Sequence, residues 1–123
     1  MILVVGGVAS GKREFVSRTF GYSGEQITSA HIDNKPVIYD VQELLRNERS
    51  ESVLTSLLQK QVVICNEVGS GIVPMEESER QWREEVGRLC CRLAEQAMTV
   101  VRVCCGIPYV IKGQLNDIGR NGE

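Results

Sequence analysis

The sequence predicts an α/β fold, a three-layer sandwich around a mainly parallel sheet. Short apolar runs at residues 1–5, 37–40, 62–65 and 100–105 alternate with segments that carry apolar residues at helical spacing. Parallel neighbours require crossover connections, and this alternation supplies them. The 123 residues, 42% hydrophobic, suffice for one domain that buries roughly two thirds of its unfolded surface. That domain is expected over residues 1–112, with 113–123 a flexible C-terminal tail.

The first run, Met1-Ile2-Leu3-Val4-Val5, reads as a buried strand that Gly6 and Gly7 break, and residues 12–20 place Phe15, Val16 and Phe20 on one helical face. Residues 21–35 are polar and form a loop. Pro36 then introduces Val37, Ile38, Tyr39 and Asp40, a run of the length a central parallel strand needs. Leu44, Leu45, Val53, Leu54, Leu57 and Leu58 mark one or two helical stretches. The next strand, residues 62–65, ends at Asn66 and Glu67, and a loop with Gly69, Ser70, Gly71 and Pro74 follows.

Glu76, Glu77 and Glu79 then favour a helix start, because negative charge is stabilised there. Trp82, Val86, Leu89, Leu93 and Ala97 form one apolar stripe, opposite Arg83, Glu84, Arg88, Arg92 and Glu95. A fourth strand at 100–105 closes through residues 106–108, and Val110 and Ile111 add a short edge piece. There is no internal repeat and no low-complexity segment.

Composition excludes several roles. Fourteen Lys and Arg against 16 Asp and Glu leave a formal charge of -2, so there is no bulk electrostatic attraction to nucleic acid. No apolar run approaches the length of a membrane span, and no basic segment precedes the opening apolar run, so the expected location is the cytoplasm. The five cysteines, Cys65, Cys90, Cys91, Cys104 and Cys105, contain no C-x-x-C and are expected to be buried reduced thiols rather than disulfides or zinc ligands.

Gly6-Gly7-Val8-Ala9-Ser10-Gly11-Lys12 fits G-x-x-x-x-G-K between a strand and a helix, the context of a phosphate-binding P-loop. Glycines let backbone amides turn around phosphate oxygens, the helix N-terminus adds its positive end, and Lys12 reaches the terminal phosphates. This motif makes the expected fold P-loop NTPase-like. Arg13, however, stands where a Ser or Thr hydroxyl would hold Mg2+; a guanidinium cannot ligate a cation, but turned inward it would pair with phosphate, so residues 6–13 are the expected nucleotide-binding run. Asp40 is the candidate acid for the metal, and the same position also suits a helix N-cap. Glu67 would orient a substrate hydroxyl or a hydrated magnesium, or else cap the amides of the turn at 69–71.

The run Asn66-Glu67-Val68-Gly69-Ser70-Gly71-Ile72-Val73-Pro74 resembles the signature of the bifunctional adenosylcobinamide kinase and adenosylcobinamide-phosphate guanylyltransferase family. The likeness continues at Gly87-Arg88-Leu89, Arg92-Leu93-Ala94, Gly106-Ile107 and Lys112, and includes Gly6-Gly7 and Gly11-Lys12. It implies cobalamin biosynthesis: GTP or ATP phosphorylates adenosylcobinamide, then GMP passes to the phosphate, in an enzyme that is usually a homo-oligomer. In that family a histidine of an H-x-x-x-R-P-x-x-W segment carries the guanylyl group. Here His31 and Pro36 remain, joined by a basic residue, without the Trp, and the stretch between Lys12 and Asn66 is shortened. Either His31 is the nucleophile in a compressed loop or the segment has been deleted. Phosphorylation is therefore the expected reaction; the alternative is a non-catalytic P-loop protein that binds nucleotide or cobinamide.

Overall fold

The structure, a computed structural model, describes residues 1–68 and 76–115. Strand β1 (Ile2–Gly6) leads through the glycine loop into α1 (Lys12–Phe20). A one-turn 3-10 helix, Gly24–Gln26, precedes β2 (Ile27–Ser29), and β3 (Val37–Tyr39) runs into a second 3-10 helix, Val41–Arg46. Then come α2 (Ser50–Leu58), β4 (Val62–Asn66), α3 (Glu77–Gln96), β5 (Thr99–Cys104) and β6 (Ile107–Lys112). The sheet order is β2-β3-β4-β1-β5-β6, parallel throughout except for the antiparallel β5–β6 pair.

Alternation along the central strands divides the core into two layers. Ile2 and Val4 of β1, with Val62, Ile64, Val101 and Val103, pack against Phe15, Val16 and Phe20 of α1. Leu3, Val63, Cys65 and Val100 face the other way, against Val53 and Leu57 of α2 and the stripe Val86, Leu89 and Leu93 of α3. Trp82, the first residue of the expected stripe, packs at its margin, and its indole N–H donates to the Gln42 carbonyl at 2.9 Å. Helices thus cover both faces of the sheet. No helix among the described residues is long and apolar enough to cross a membrane.

Several expectations are corrected. Residues 27–29, expected in a loop, form an edge strand; Ile27 and Thr28 are buried, but three residues are too few to show a period. The edge piece expected at Val110 and Ile111 is a six-residue strand exposed along its length, which tolerates Pro108 because an edge position needs fewer amide donors. The fourth strand stops at Cys104, since Cys105 (φ 52°) and Gly106 (φ 77°) form the two-residue turn of the β5–β6 hairpin. The cysteines are not uniformly buried: Cys65 is, Cys90 is half-buried, and Cys91, Cys104 and Cys105 are exposed. Gly113 to Leu115, at the start of the expected tail, pack on the domain: the Thr99 hydroxyl donates to the Gln114 carbonyl at 3.2 Å, and Leu115 touches the α1-side core. The loop glycines and Pro74, and residues 116–123 of the tail, lie outside the described residues.

Candidate functional site

Parallel strands deliver their carboxyl ends to one edge, and the motifs converge there. The loop after β1 is a tight structure. Ala9 (φ 55°) and Gly11 (φ 92°) are both left-handed, the Ser10 amide donates to the Gly7 carbonyl at 3.3 Å, and the Phe15 amide to the Gly11 carbonyl opens α1. Val8 at the tip is exposed. The β5–β6 turn closes on the loop: the Gly106 amide donates to the Ser10 carbonyl at 2.8 Å, and a Cβ on Gly11 would stand 3.2 Å from Gly106 Cα.

Lys12 is 7% exposed and lies within its own loop, its Nζ 2.6 Å from the Gly7 carbonyl oxygen and 3.4 Å from Ser10 Oγ. Burial pushes its ammonium below the ordinary lysine range, against the opposing pull of Asp40, Cys65, Glu67 and Glu14. Two of those four groups are the carboxylates singled out in the sequence. Asp40 and Glu67, from the ends of β3 and β4, thus stand within electrostatic reach of Lys12.

Asp40 occupies the N-cap position of the second 3-10 helix in a left-handed conformation (φ 56°, ψ 39°), and its side chain makes no cap hydrogen bond. Instead it accepts a 3.4 Å bond from Gln42 Nε2. Glu67 continues the ladder, its amide donating to the Gly6 carbonyl at 2.8 Å, and its carboxylate forms a two-point pair with Arg102 of β5: Nε to Oε1 at 2.9 Å and Nη2 to Oε2 at 3.0 Å. The alternative role for Glu67, capping amides at 69–71, lies outside the described residues.

Arg13 turns away from the loop and stacks on Tyr39, its guanidinium carbon 4.6 Å from the ring centroid and Nη1 3.4 Å from the phenol oxygen. It brings no oxygen to a cation. Among the described residues no group of three or more His, Cys, Asp or Glu side chains is gathered to hold a metal, and Glu67 is engaged by Arg102. The donor set for magnesium therefore reduces to Asp40, and the residues present do not fit a directly ligated ion at the usual P-loop position.

His31 follows β2 at the sheet edge, exposed and, among the described residues, without a hydrogen bond or ion pair. Three strand spacings, roughly 14 Å, separate β2 from β1. The fold thus brings residues 6–12, Asp40 and Glu67 to one edge, while His31, just beyond the Ala30 amide that donates to the Tyr39 carbonyl, lies one strand from Asp40 and three from the glycine loop.

Two residues were missed by sequence reasoning. Gln42, 3% exposed, ties the site's supports together: its Oε1 accepts from the Asn66 amide at 3.0 Å, its Nε2 reaches Asp40 and its carbonyl receives Trp82. No signal for it was legible, because Glu43 and Arg46 make the same short helix as polar as Gln42 does. Arg102 was legible as the one charge in a strand of apolar residues, though its partner was not.

Fold and edge geometry together define the class, a mixed α/β protein of the P-loop NTPase-like kind. Residues 32–111 match the family described as cobinamide kinase / cobinamide phosphate guanyltransferase, and the chain belongs to that family. The matched segment includes Asp40, Gln42, Glu67 and Arg102, and begins after the glycine loop and His31. No curated protein matches the chain. At family level the function is a kinase and guanylyltransferase activity of cobalamin biosynthesis.

Proposed function

We propose that this protein phosphorylates the side-chain hydroxyl of adenosylcobinamide at the expense of ATP or GTP. The observation that carries the reading is a buried Lys12 in the glycine loop, within electrostatic reach of Asp40 and Glu67 at the carboxyl edge of the sheet, in a chain of this family. The triphosphate would lie along residues 6–12 against the N-terminus of α1, and Lys12 Nζ would exchange its bond to the Gly7 carbonyl for phosphate oxygens. Glu67, oriented by Arg102, would accept the substrate hydroxyl, and Asp40 would balance the ammonium of Lys12 before the anionic nucleotide arrives. Magnesium, when bound, supplies neutralisation of phosphate charge, with Asp40 the residue to hold it through water.

Guanylyl transfer is not part of this reading, because His31 follows the edge strand β2, three places from β1 in the sheet, and among the described residues no side chain holds its imidazole. Arg13 favours the second reading, a protein that binds nucleotide or cobinamide without turnover. Mass spectrometry after incubation with adenosylcobinamide and either ATP or GTP decides. Gain of one phosphoryl group supports the kinase, binding without turnover selects the second reading, and gain of GMP with acid-labile label on His31 from α-labelled GTP restores the bifunctional enzyme.

A further inference from the structure

On the α3 side of the sheet, Cys65 of β4 and Cys90 of α3 share a hydrogen bond with their Sγ atoms 3.6 Å apart. They are 25 residues apart in sequence, and the two elements that carry them are packed core against core. Cys65 is wholly inaccessible. Cys90 is half-buried and lines a groove of about 440 Å³ together with Val5, Glu67, Cys91, Ala94 and Ile111, so one thiol of the pair meets solvent and the other lies behind it.

We propose that Cys65 and Cys90 are a redox-active dithiol that closes to a reversible disulfide when the protein meets a peroxide. A disulfide has its sulfurs about 2.05 Å apart, so the pair must approach by roughly 1.5 Å, a movement open to side-chain rotation and a slight shift of α3. In the first step the Cys90 thiol gives up its proton and the thiolate attacks one peroxide oxygen; the O–O bond breaks, the departing hydroxide takes up that proton and leaves as water, and Cys90 becomes a sulfenic acid. In the second the Cys65 sulfur attacks the Cys90 sulfur; the S–S bond forms, the S–O bond breaks and the hydroxide departs as water with the Cys65 proton. The two thiols lose two electrons, which reduce one hydrogen peroxide to two water molecules.

The other thiols do not offer this chemistry. Cys91 is adjacent to Cys90 on one helix, where neighbouring side chains diverge, and Cys104 and Cys105 are exposed at the far hairpin. The closed bond would tie the strand that ends at Asn66 to the middle of α3 at the floor of the groove, whatever reaction the protein performs.

The test uses the folded full chain carrying Cys91→Ser, Cys104→Ser and Cys105→Ser, all at solvent-accessible positions, treated with hydrogen peroxide. The expected result is loss of two hydrogens from the intact mass, both remaining thiols becoming unreactive, a Cys65–Cys90 cross-linked peptide after digestion, and full reversal by dithiothreitol. Adding Cys90→Ser to that variant must abolish the mass change. Should that protein not fold, the cross-linked peptide from the parent chain decides alone. Conversion of Cys90 to sulfinic acid with Cys65 still titratable, or a cross-link between chains, overturns the proposal.

Discussion

Gly6 is the last residue of β1, and the structure makes its lack of a side chain a requirement. A Cβ there would fall inside 3.0 Å of the Val103 carbonyl oxygen on β5, 2.7 Å from Ser10 Oγ and 3.3 Å from Lys12 Cδ. Ser10 and Lys12 can rotate away, but the Val103 oxygen is backbone, in a residue opposite Gly6 in the sheet. Gly6→Ala therefore forces β1 and β5 apart at the mouth of the loop, and overpacking of this kind costs about 1–3 kcal/mol. The upper half of that range applies, since the clash is with the main chain. Gly7 provides the control: nothing lies within 4 Å of its would-be Cβ, and its φ is not positive. Urea denaturation of the two variants beside the parent measures both. With a slope of about 1.5 kcal/mol per molar, Gly6→Ala moves the midpoint down by roughly 1.3–2 M, whereas Gly7→Ala stays within about 0.3 M. Equal midpoints for Gly6→Ala and Gly7→Ala would refute the close approach of the loop to β5.

Lys12→Ala removes a charge-assisted contact worth about 1.5–3 kcal/mol, so calorimetric titration with ATP or GTP should show affinity at least tenfold weaker; equal affinities would make the loop a simple turn. Arg13→Ser restores a hydroxyl at the position after Lys12, and nucleotide affinity of this variant should rise with added magnesium while the parent's does not; coincident titrations mean the metal is held elsewhere. Glu85 accepts the Ser50 amide and hydroxyl, each at 2.9 Å, at the start of α2, and these bonds hold its carboxyl below the ordinary range. Its folded pKa is depressed, so the stability it contributes is complete above the unfolded value of about 4.3 and is lost as pH falls through the folded one. Glu85→Gln should thus cost about 1 kcal/mol at pH 7 and nothing near pH 2, and a gap in urea midpoint that persists at low pH refutes this.

How much was legible in the sequence depended on length of pattern and on distance to the partner. The apolar runs of β1 and β4 announce their elements as unbroken hydrophobic stretches bounded by polar or glycine residues, and the stripe of α3 because it repeats the helical period several times. β2 was hidden because its burial arises from pairing with β3, and its three residues carry no period of their own. For the site, the glycine loop was visible as a local motif, and Asp40 and Glu67 as acids at strand ends. What they touch was not. Glu67 meets Arg102 across 35 residues of sequence, and Gln42 meets Asn66 across 24, so only the order of strands brings them together.

That order also explains why the site forms where it does. From β1 the chain leaves through α1 on one face toward β2, at the far edge of the sheet, while β4 connects through α3 on the opposite face to β5, passing over β1. Connections that depart in opposite directions leave a crevice at the carboxyl end of the strand between them. Here that strand is β1, so the glycine loop occupies the crevice, the end of β4 supplies Glu67 on one flank, and β5 supplies both Arg102 and the turn whose Gly106 amide meets Ser10 on the other. The Glu67–Arg102 pair therefore spans β1, with Arg102 opposite Val5 and Glu67 one step beyond the partner of Gly6. A carboxylate paired at two points in this way is restrained in its orientation across the mouth of the loop. His31, beyond the end of the edge strand β2, lies three strands from β1 and so outside the flanks of this crevice.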